Sequence, residues 1–260
     1  MPDPDLDLLI KAARAAGQVA CRFAPDTFKT WEKPDDAGPV TDADLAVNER
    51  LHDILQTARP DYGWLSEESE DTPARLTADL LFIIDPIDGT RSFIDGSNTW
   101  AHSLAVVKEG RVTAAVIYLP KRDMLYAAAE GQGATLNGAP IAPRQTRDLD
   151  TAEVLSVKHN FKSEFWQGAP PDPTRAYRPS LAYRMALVAE GRFDAMITFR
   201  PSWEWDVAAG DLILREAGAT TSNRAGQPLI FNNPTPQVAG VVAAHSALHS
   251  QIACQLTFED

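Results

Sequence analysis

The segment LLFIIDPIDGTRSF, residues 80–93, places two carboxylates directly after an apolar run. Asp85 follows five large apolar residues, and Asp88 comes three positions later, after Pro86 and Ile87. Carboxylates at the end of a buried run are costly to keep charged unless a partner neutralises them. Two carboxylates and the main-chain oxygen of Ile87 in one tight turn are ligands that Mg²⁺ prefers. The segment therefore predicts a magnesium site.

Gly89 and Thr90 add the features of an anion site. Gly89 has no side chain to keep a ligand away from the main chain, and Thr90 brings an amide and a hydroxyl. If a short helix begins here, its free N–H groups face an anion. The alternative is that Asp88-Gly89 is only a turn, because this dipeptide is common in turns. A cation beside free amides predicts a phosphate site.

Further acids lie far away in the sequence. Glu67 and Glu68 stand together in WLSEES, and Asp206 lies at the start of the helical pattern WEWDVAAGDLILREAG. Taken singly, an acidic pair is usually a solvated surface and an aspartate at a helix start is usually a cap. For each of these acids taken alone, the structural reading is therefore favoured over the functional one.

The bulk composition excludes several classes of protein. The net charge of −12 argues against nucleic-acid binding, which depends on clustered Lys and Arg. No apolar run approaches the roughly 20 residues of a membrane span, and the N-terminus lacks the pattern of a signal peptide. Cys21 and Cys254 have no CxxC partner, which predicts buried free thiols in a reducing compartment. The prediction is a cytoplasmic protein without a membrane or nucleic-acid partner.

The elements that must position these acids follow from apolar periodicity. Helices are predicted over 5–23, 42–59, 181–190 and 205–217 and from 246 onward, with a loop over 24–39. Strands are predicted at 80–84, in a hairpin around Glu109-Gly110, and at MLYAAA, VLSV, FDAMITF and VAGVVAA. This order favours a layered α+β fold, with an N-terminal half over 1–145 and a C-terminal half over 146–260 in one compact unit.

The motifs together resemble those of a known family. GPVTDAD resembles its DxVTxxD element, SEES its GEES, DPIDGTRSF its DPIDGTxxF, and WDVAAGDLILREAG its WDxAAGxxIxxEAG, in the same order over nearly the whole chain. The sequence thus resembles the inositol monophosphatase family of magnesium-dependent, lithium-sensitive phosphomonoesterases. The resemblance implies an αβαβα sandwich and commonly a homodimer.

The resemblance also implies a role for each matching residue. Two or three Mg²⁺ ions would be held by Glu67, Asp85, the Ile87 carbonyl, Asp88 and Asp206. Cations would restore the charge balance among carboxylates that otherwise repel one another. Asp44 and Thr90, with Glu67, would activate the attacking water. Gly89 and Thr90 amides would hold the phosphate, and Lys33 would lie near the most weakly bound metal.

The departures from the family pattern concern the substrate. Gly38 replaces the first Asp of the DxVT element, and Phe199 and Arg200 lie near the place of a Glu that contacts inositol hydroxyls. Glu204 stands closer to Asp206. Arg200 could instead meet a second phosphate, as in the 3'(2'),5'-bisphosphate nucleotidase branch, where Ser180 would also contact substrate. The alternative for Arg200 is a surface ion pair.

The resulting prediction is hydrolysis of a small phosphorylated metabolite. Inositol monophosphate or a related sugar phosphate is the first choice. A 3'-phosphoadenosine 5'-phosphate phosphatase and a histidinol phosphatase are alternatives within enzymes. A metal-dependent binder without catalysis is the alternative from another class, although it would not need the Thr90 and Asp44 pair.

Overall fold

The computed structural model describes residues 3–24, 27–33 and 38–257. Helices and sheets alternate in five layers: two helices, a seven-stranded sheet, two helices, a five-stranded sheet and one helix. Three apolar cores fill the spaces between these layers. The predicted αβαβα architecture of the α+β class is confirmed.

Six α-helices are described. Their bounds are Pro4–Ala20 (α1), Asp42–Ala58 (α2), Thr90–Ile94 (α3), Leu181–Ala189 (α4), Glu204–Glu216 (α5) and Ser246–Gln255 (α6). The N-caps of α1, α2 and α4 are Asp3, Thr41 and Ser180, whose side chains accept main-chain N–H bonds. None of the helices in the described ranges has the length and apolar character that crossing a bilayer requires.

The first half of the chain forms nine strands. They are Thr30–Glu32 (β1), Pro39–Thr41 (β2), Gly63–Ser66 (β3), Leu80–Asp88 (β4), Ala101–Lys108 (β5), Arg111–Leu119 (β6), Met124–Ala129 (β7), Ala134–Leu136 (β8) and Ala139–Pro140 (β9). Strands β3 to β9 form the large sheet in that order, with β3 parallel to β4 and the rest antiparallel. Glu109 and Gly110, both with positive φ, make the predicted hairpin turn between β5 and β6.

The apolar run before Asp85 is explained by burial on both faces of β4. Leu81 and Ile83 face the core next to α4 and α5, whereas Phe82 and Ile84 face the core beneath α1 and α2. Successive side chains of a strand point to opposite faces, so a strand covered on both sides needs apolar residues throughout. Strand β4 thus lies in the middle of the fold.

The DPID segment is a bulged continuation of β4, where a tight turn after residue 84 was predicted. Asp85 pairs with Ser103 and Asp88 with Ala101, so two residues of β4 oppose only His102 on β5. Pro86 lacks an N–H and is tolerated at such a bulge. Its carbonyl is hydrogen-bonded by the Nδ1 atom of His102. The bulge bends the end of β4 at the two aspartates.

The second half of the chain forms the smaller sheet. The seven strands of this half are Glu153–Leu155 (β10), Thr174–Ala176 (β11), Ala195–Thr198 (β12), Ser202–Trp203 (β13), Ala219–Ser222 (β14), Gln237–Val238 (β15) and Val241–His245 (β16). The sheet order is β11-β10-β12-β16-β14, and β13 pairs separately with β15. Helices α4 and α5 cross closely, since a Cβ on Gly210 would lie 2.6 Å from Met185 Sδ.

Two local predictions were wrong. The segment predicted as a loop over 24–39 contains β1, which pairs with β2, while residues 25–26 and 34–37 lie outside the described residues. Three-residue strands of this kind depend on their pairing partner more than on their own sequence pattern. Cys21 and Cys254, predicted to be buried, are free and exposed.

Candidate metal and phosphate site

Carboxylates from three separate elements meet at one end of the large sheet. Glu67 follows β3, Asp85 lies in the β4 bulge, and Asp206 lies in the first turn of α5. One oxygen atom of each of the three lies within 4.8 Å of the others. With Asp88, they line an open cavity of about 350 Å³. The structure therefore brings together the acids that the sequence predicted to share a site.

The acids of this cavity raise one another's pKa values. Burial is the largest cause of the raised pKa of Asp85, followed by repulsion from Glu67, Asp88 and Asp206. Burial, together with repulsion from Asp88 and Glu67, also holds the pKa of Asp206 well above its usual range. Acidic groups are thus concentrated where burial weakens the screening by water, and a bound cation would relieve their repulsion.

The donor set fits Mg²⁺. Mg²⁺ takes oxygen ligands at about 2.0–2.1 Å, so its opposite ligands lie about 4.2 Å apart. The three carboxylate oxygens, all within 4.8 Å of one another, are near enough to share such an ion. The carbonyl of Ile87 lies beside them and accepts a hydrogen bond from Thr90 Oγ1 at 3.2 Å. Carboxylate and carbonyl oxygens are the ligands of a hard cation, and no histidine or cysteine belongs to the cluster found among the described residues.

Asp88 connects the acidic cluster to helix α4. Its Oδ2 atom accepts hydrogen bonds from Ser180 Oγ at 2.7 Å and from the Ala182 amide at 2.6 Å. Burial raises the pKa of Asp88 to about 6 although these bonds oppose the shift. Ser180 is fully buried and caps α4 through Tyr183, so its hydroxyl holds Asp88 in place. Its direct contact with a substrate stays a prediction.

Asp44 and Thr90 form a pair at the edge of the cluster. The Oδ2 atom of Asp44 accepts bonds from the Thr41 amide at 2.8 Å and from Thr41 Oγ1 at 2.5 Å, which completes a capping box. Its other oxygen, Oδ1, lies 3.3 Å from Thr90 Oγ1. Burial raises the pKa of Asp44 to about 6. The carboxylate can therefore accept a proton near neutral pH.

Two glycines adopt backbone conformations that favour glycine. Gly89, with φ of +98°, precedes α3, and Gly38, with φ of +100°, lines the same cavity. An aspartate at position 38, as in the family's DxVT pattern, would be strained at this φ. Gly89 and Thr90 line the cavity next to the acids, as predicted for a phosphate contact.

Lys33 reaches into the acidic cluster from the segment after β1. Its Nζ atom lies 2.7 Å from Glu67 Oε1 and 2.6 Å from Glu68 Oε1. Burial opposes the charged form, but the attraction of Glu67 and the bonds to both glutamates raise the pKa of Lys33 to about 12. Burial and repulsion from Glu67 raise the pKa of Glu68 to about 7. Sequence reasoning gave Glu68 no role, and the structure shows that it anchors Lys33.

Comparison with known proteins agrees with this geometry. The model of the inositol monophosphatase family matches residues 1–259. The chain is 34% identical over 236 residues to the Nus factor SuhB of Escherichia coli K12, covering 86% of each chain.

The chain belongs to the inositol monophosphatase family.

Two further relatives extend the comparison. A histidinol-phosphatase of Chlorobaculum parvum is 30% identical over 251 residues, covering 94% of this chain and 93% of the relative. The solved structure of an IMPase from Thermotoga maritima superposes with a TM-score of 0.82 at 26% identity, covering 97% of this chain and 96% of that one. The names of these inositol monophosphatase family relatives do not agree on one role.

The residues where this chain departs from the family pattern lie in different places. Arg200 and Tyr177 line the acidic cavity, whereas Phe199 is largely buried. Within the described ranges, no carboxylate lies within 4 Å of the Arg200 guanidinium, so the alternative of a surface ion pair is not observed. Glu204 is fully buried and accepts bonds from the Asn232 and Asn233 amides at 2.7 and 2.9 Å. Both oxygens of the Glu204 carboxylate are therefore hydrogen-bonded to the segment 232–233.

Proposed function

We propose that this protein is a Mg²⁺-dependent phosphomonoesterase that acts on a small phosphorylated metabolite. The observation that carries the proposal is the meeting of Glu67, Asp85 and Asp206 within 4.8 Å in the cavity that Thr90 also lines. A cation site alone would serve a binding protein as well. The Thr90 and Asp44 pair next to it adds a means of accepting a proton from water.

Five groups would hold the metal, in two or three Mg²⁺ positions: the side chains of Glu67, Asp85, Asp88 and Asp206 and the carbonyl of Ile87. Bound Mg²⁺ would neutralise phosphate charge, lower the pKa of a nearby water and stabilise the entering and leaving oxygens. This also accounts for an anionic substrate in a protein of net charge −12.

The chain's own residues would orient and deprotonate the attacking water. Thr90 Oγ1 accepts a hydrogen from the water while donating its own to Asp44 Oδ1, which ends protonated. The water oxygen bonds to phosphorus in line with the ester P–O bond, which breaks. The electron pair of the broken bond leaves with the alcohol oxygen, which takes a proton from solvent. Amides of Gly89 and Thr90 would hold the phosphate, and Lys33 would balance charge beside Glu67.

Inositol monophosphate or a related sugar phosphate is the first substrate to test. A bisphosphate nucleotide is the second candidate, because Arg200 lines the cavity without a carboxylate partner within 4 Å among the described residues. Histidinol phosphate, also an alternative from the sequence, is the third candidate, and the name of one relative supports it. The absence of a nucleic-acid partner stays a prediction.

The test is phosphate release from inositol 1-phosphate, histidinol phosphate and adenosine 3',5'-bisphosphate, each with and without Mg²⁺. We expect Mg²⁺-dependent release from at least one, and a loss of kcat of at least about 100-fold in Asp206→Asn, because a metal ligand is removed. Glu70→Gln, an exposed acid next to the cluster in sequence, is the matched control. Binding of all three esters without phosphate release would instead establish the non-catalytic binder.

A further inference from the structure

A buried histidine on β5, His102, lies opposite the bulge that carries the acids. Two residues of β4, Pro86 and Ile87, stand across from this single residue of β5. His102 is fully buried, and it lies outside the motifs that the chain shares with the family. The reaction proposed above gives this residue no role.

The two ring nitrogens of His102 have different surroundings. Nδ1 is hydrogen-bonded to the carbonyl of Pro86. A carbonyl can only accept, so Nδ1 carries the hydrogen and Nε2 is left as an acceptor. Nε2 is buried without a hydrogen-bond partner among the described residues. The polar contact of this ring is therefore the one with Pro86.

The ring of His102 is neutral and held in place by packing. Burial lowers the pKa of His102 to about 4, although the bond to Pro86 opposes this shift. The ring of Trp100 stands edge-on to it with centroids 5.6 Å apart, and the ring of Tyr118 lies at 6.3 Å. A neutral ring packed against two aromatic side chains keeps its Nδ1–H aimed in one direction.

The peptide group between Pro86 and Ile87 transmits this constraint to Asp85. The carbonyl of this peptide group accepts from His102, and its N–H, on Ile87, donates to Asp85 Oδ1 at 2.9 Å. The peptide is trans and planar, so its carbonyl and its N–H point in opposite directions and can only turn together. With the carbonyl fixed, the N–H is aimed at Asp85 Oδ1, and Oδ2 is the oxygen left for a cation.

The two carboxylates of the bulge are supported in different ways. Asp88 is held directly, by Ser180 Oγ and by the amide of Ala182. The donor to Asp85 in the described part of the chain is the Ile87 N–H. The orientation of Asp85 therefore depends on the bulge itself, and His102 holds the bulge from the side of β5.

Resting on the metal site of the proposed function, we propose that His102 is a positioning residue, which orients the Asp85 carboxylate for the cation through the Pro86–Ile87 peptide group. Groups that hydrogen-bond to metal ligands contribute about 10- to 100-fold to metal affinity. The support from His102 acts through one intervening peptide group, so we expect an effect at the lower end of this range. His102 itself contacts neither the cation nor the substrate.

Two substitutions at position 102 separate the hydrogen bond from the bulk of the ring. His102→Leu fills much of the same space without a donor. The amide nitrogen of asparagine, like Nδ1 of histidine, is bonded to Cγ, so His102→Asn keeps a donor at the same distance from the main chain. Calorimetry with Mg²⁺ alone should give a Kd about tenfold higher for His102→Leu and within about threefold of the wild type for His102→Asn.

His249→Leu is the matched control. His249 is also a buried histidine, and it is hydrogen-bonded to Ser222 Oγ at 2.8 Å, but it lies on α6 and does not line the acidic cavity. We expect this variant to lower Tm, because a buried hydrogen bond is lost, and to leave the Mg²⁺ Kd unchanged. The same pattern in His102→Leu would show a merely structural histidine and would overturn the inference.

Binding and hydrolysis together separate this inference from the proposed function. With an ester that the wild type hydrolyses, the Mg²⁺ concentration for half-maximal rate should rise about tenfold in His102→Leu, while kcat at saturating Mg²⁺ stays within about threefold of the wild type. Equal losses of Mg²⁺ affinity in His102→Leu and His102→Asn would overturn the inference, because the donor would not matter, and would leave the phosphatase proposal intact. Mg²⁺ binding that depends on the donor at position 102, without hydrolysis of any ester, would support the inference and contradict the phosphatase proposal.

Discussion

Thr90 has one hydroxyl hydrogen and two acceptors within reach. Its Oγ1 atom lies 3.3 Å from Asp44 Oδ1 and 3.2 Å from the Ile87 carbonyl, so it can donate to only one of them at a time. In Thr90→Val, which keeps the shape of the side chain, we expect kcat to fall by at least about 100-fold because the proton route to Asp44 is lost. Phosphate release at saturating Mg²⁺ measures this.

The matched control is Thr90→Ser, which keeps the hydroxyl and removes only a methyl group. It should retain most of the wild-type kcat. Mg²⁺ affinity, measured by calorimetry, should change little in either variant, since the hydroxyl is not among the proposed ligands. If Thr90→Val kept kcat within a few-fold of the wild type, Thr90 would have no part in activating water.

In the metal-free protein, protons bind to the buried carboxylates in and beside the proposed metal site. Burial raises the pKa values of Asp44 and Asp88 to about 6. Because these folded-state values exceed the unfolded ones, the folded state binds more protons between about pH 4 and pH 6. The free energy of unfolding without metal therefore falls as pH rises through this window, by about 3 kcal/mol for each such group.

Mg²⁺ should reverse this loss of stability. We expect the rise in Tm on adding saturating Mg²⁺ to be larger at about pH 7.5, where the acids are ionised, than at about pH 5, where protons occupy them. Thermal unfolding followed by circular dichroism at both pH values measures it. An equal rise at both pH values would mean that the cation binds elsewhere.

At the scale of elements, the start of α5 is tied to a loop that is remote in sequence. Glu204 accepts two main-chain bonds and a side-chain bond at 2.7 Å from Asn232 and Asn233, and Arg75 donates to Asn232 Oδ1 at 2.7 Å. This network fixes the helix end that carries Asp206. We expect Glu204→Ala to reduce the free energy of unfolding by about 2–4 kcal/mol, because buried amides lose their acceptor.

Glu216→Ala at the other end of α5 is the comparison. Glu216 also accepts two main-chain bonds, from Gly131 and Gly133, but at a more exposed position. Glu216→Ala should lower the free energy of unfolding by less than about 1 kcal/mol, because water can replace the lost acceptor. Urea unfolding of both variants measures the difference, and equal costs would show that the Glu204 network does not hold the helix.

The elements near the site could be predicted because their signals are local. The caps and periodicity of α2 and α5 and the apolar run of β4 are read within one segment. The short strands β3, β11, β13 and β14 were missed, because strands of two to four residues form only through partners elsewhere in the chain. The role of Glu204 was missed for the same reason, since its partners lie 28 and 29 residues away.

At the scale of the whole molecule, α5 packs between the two sheets and brings Asp206 to Asp85. Composition and periodicity alone could not predict this meeting, which followed from the family resemblance. No role was predicted for Arg184, although an arginine in the apolar helix segment LAYRMALVA is a signal of a buried charge. The division at residue 145 and the homodimer stay predictions, and light scattering in solution tests the latter.

The most direct test of the central claim is a crystal structure of the protein with Mn²⁺, whose anomalous signal reports a divalent cation in the magnesium site. We predict an anomalous peak within about 2.5 Å of carboxylate oxygens from Glu67, Asp85 and Asp206 together. Three carboxylates pointing apart, with no peak between them, would contradict it.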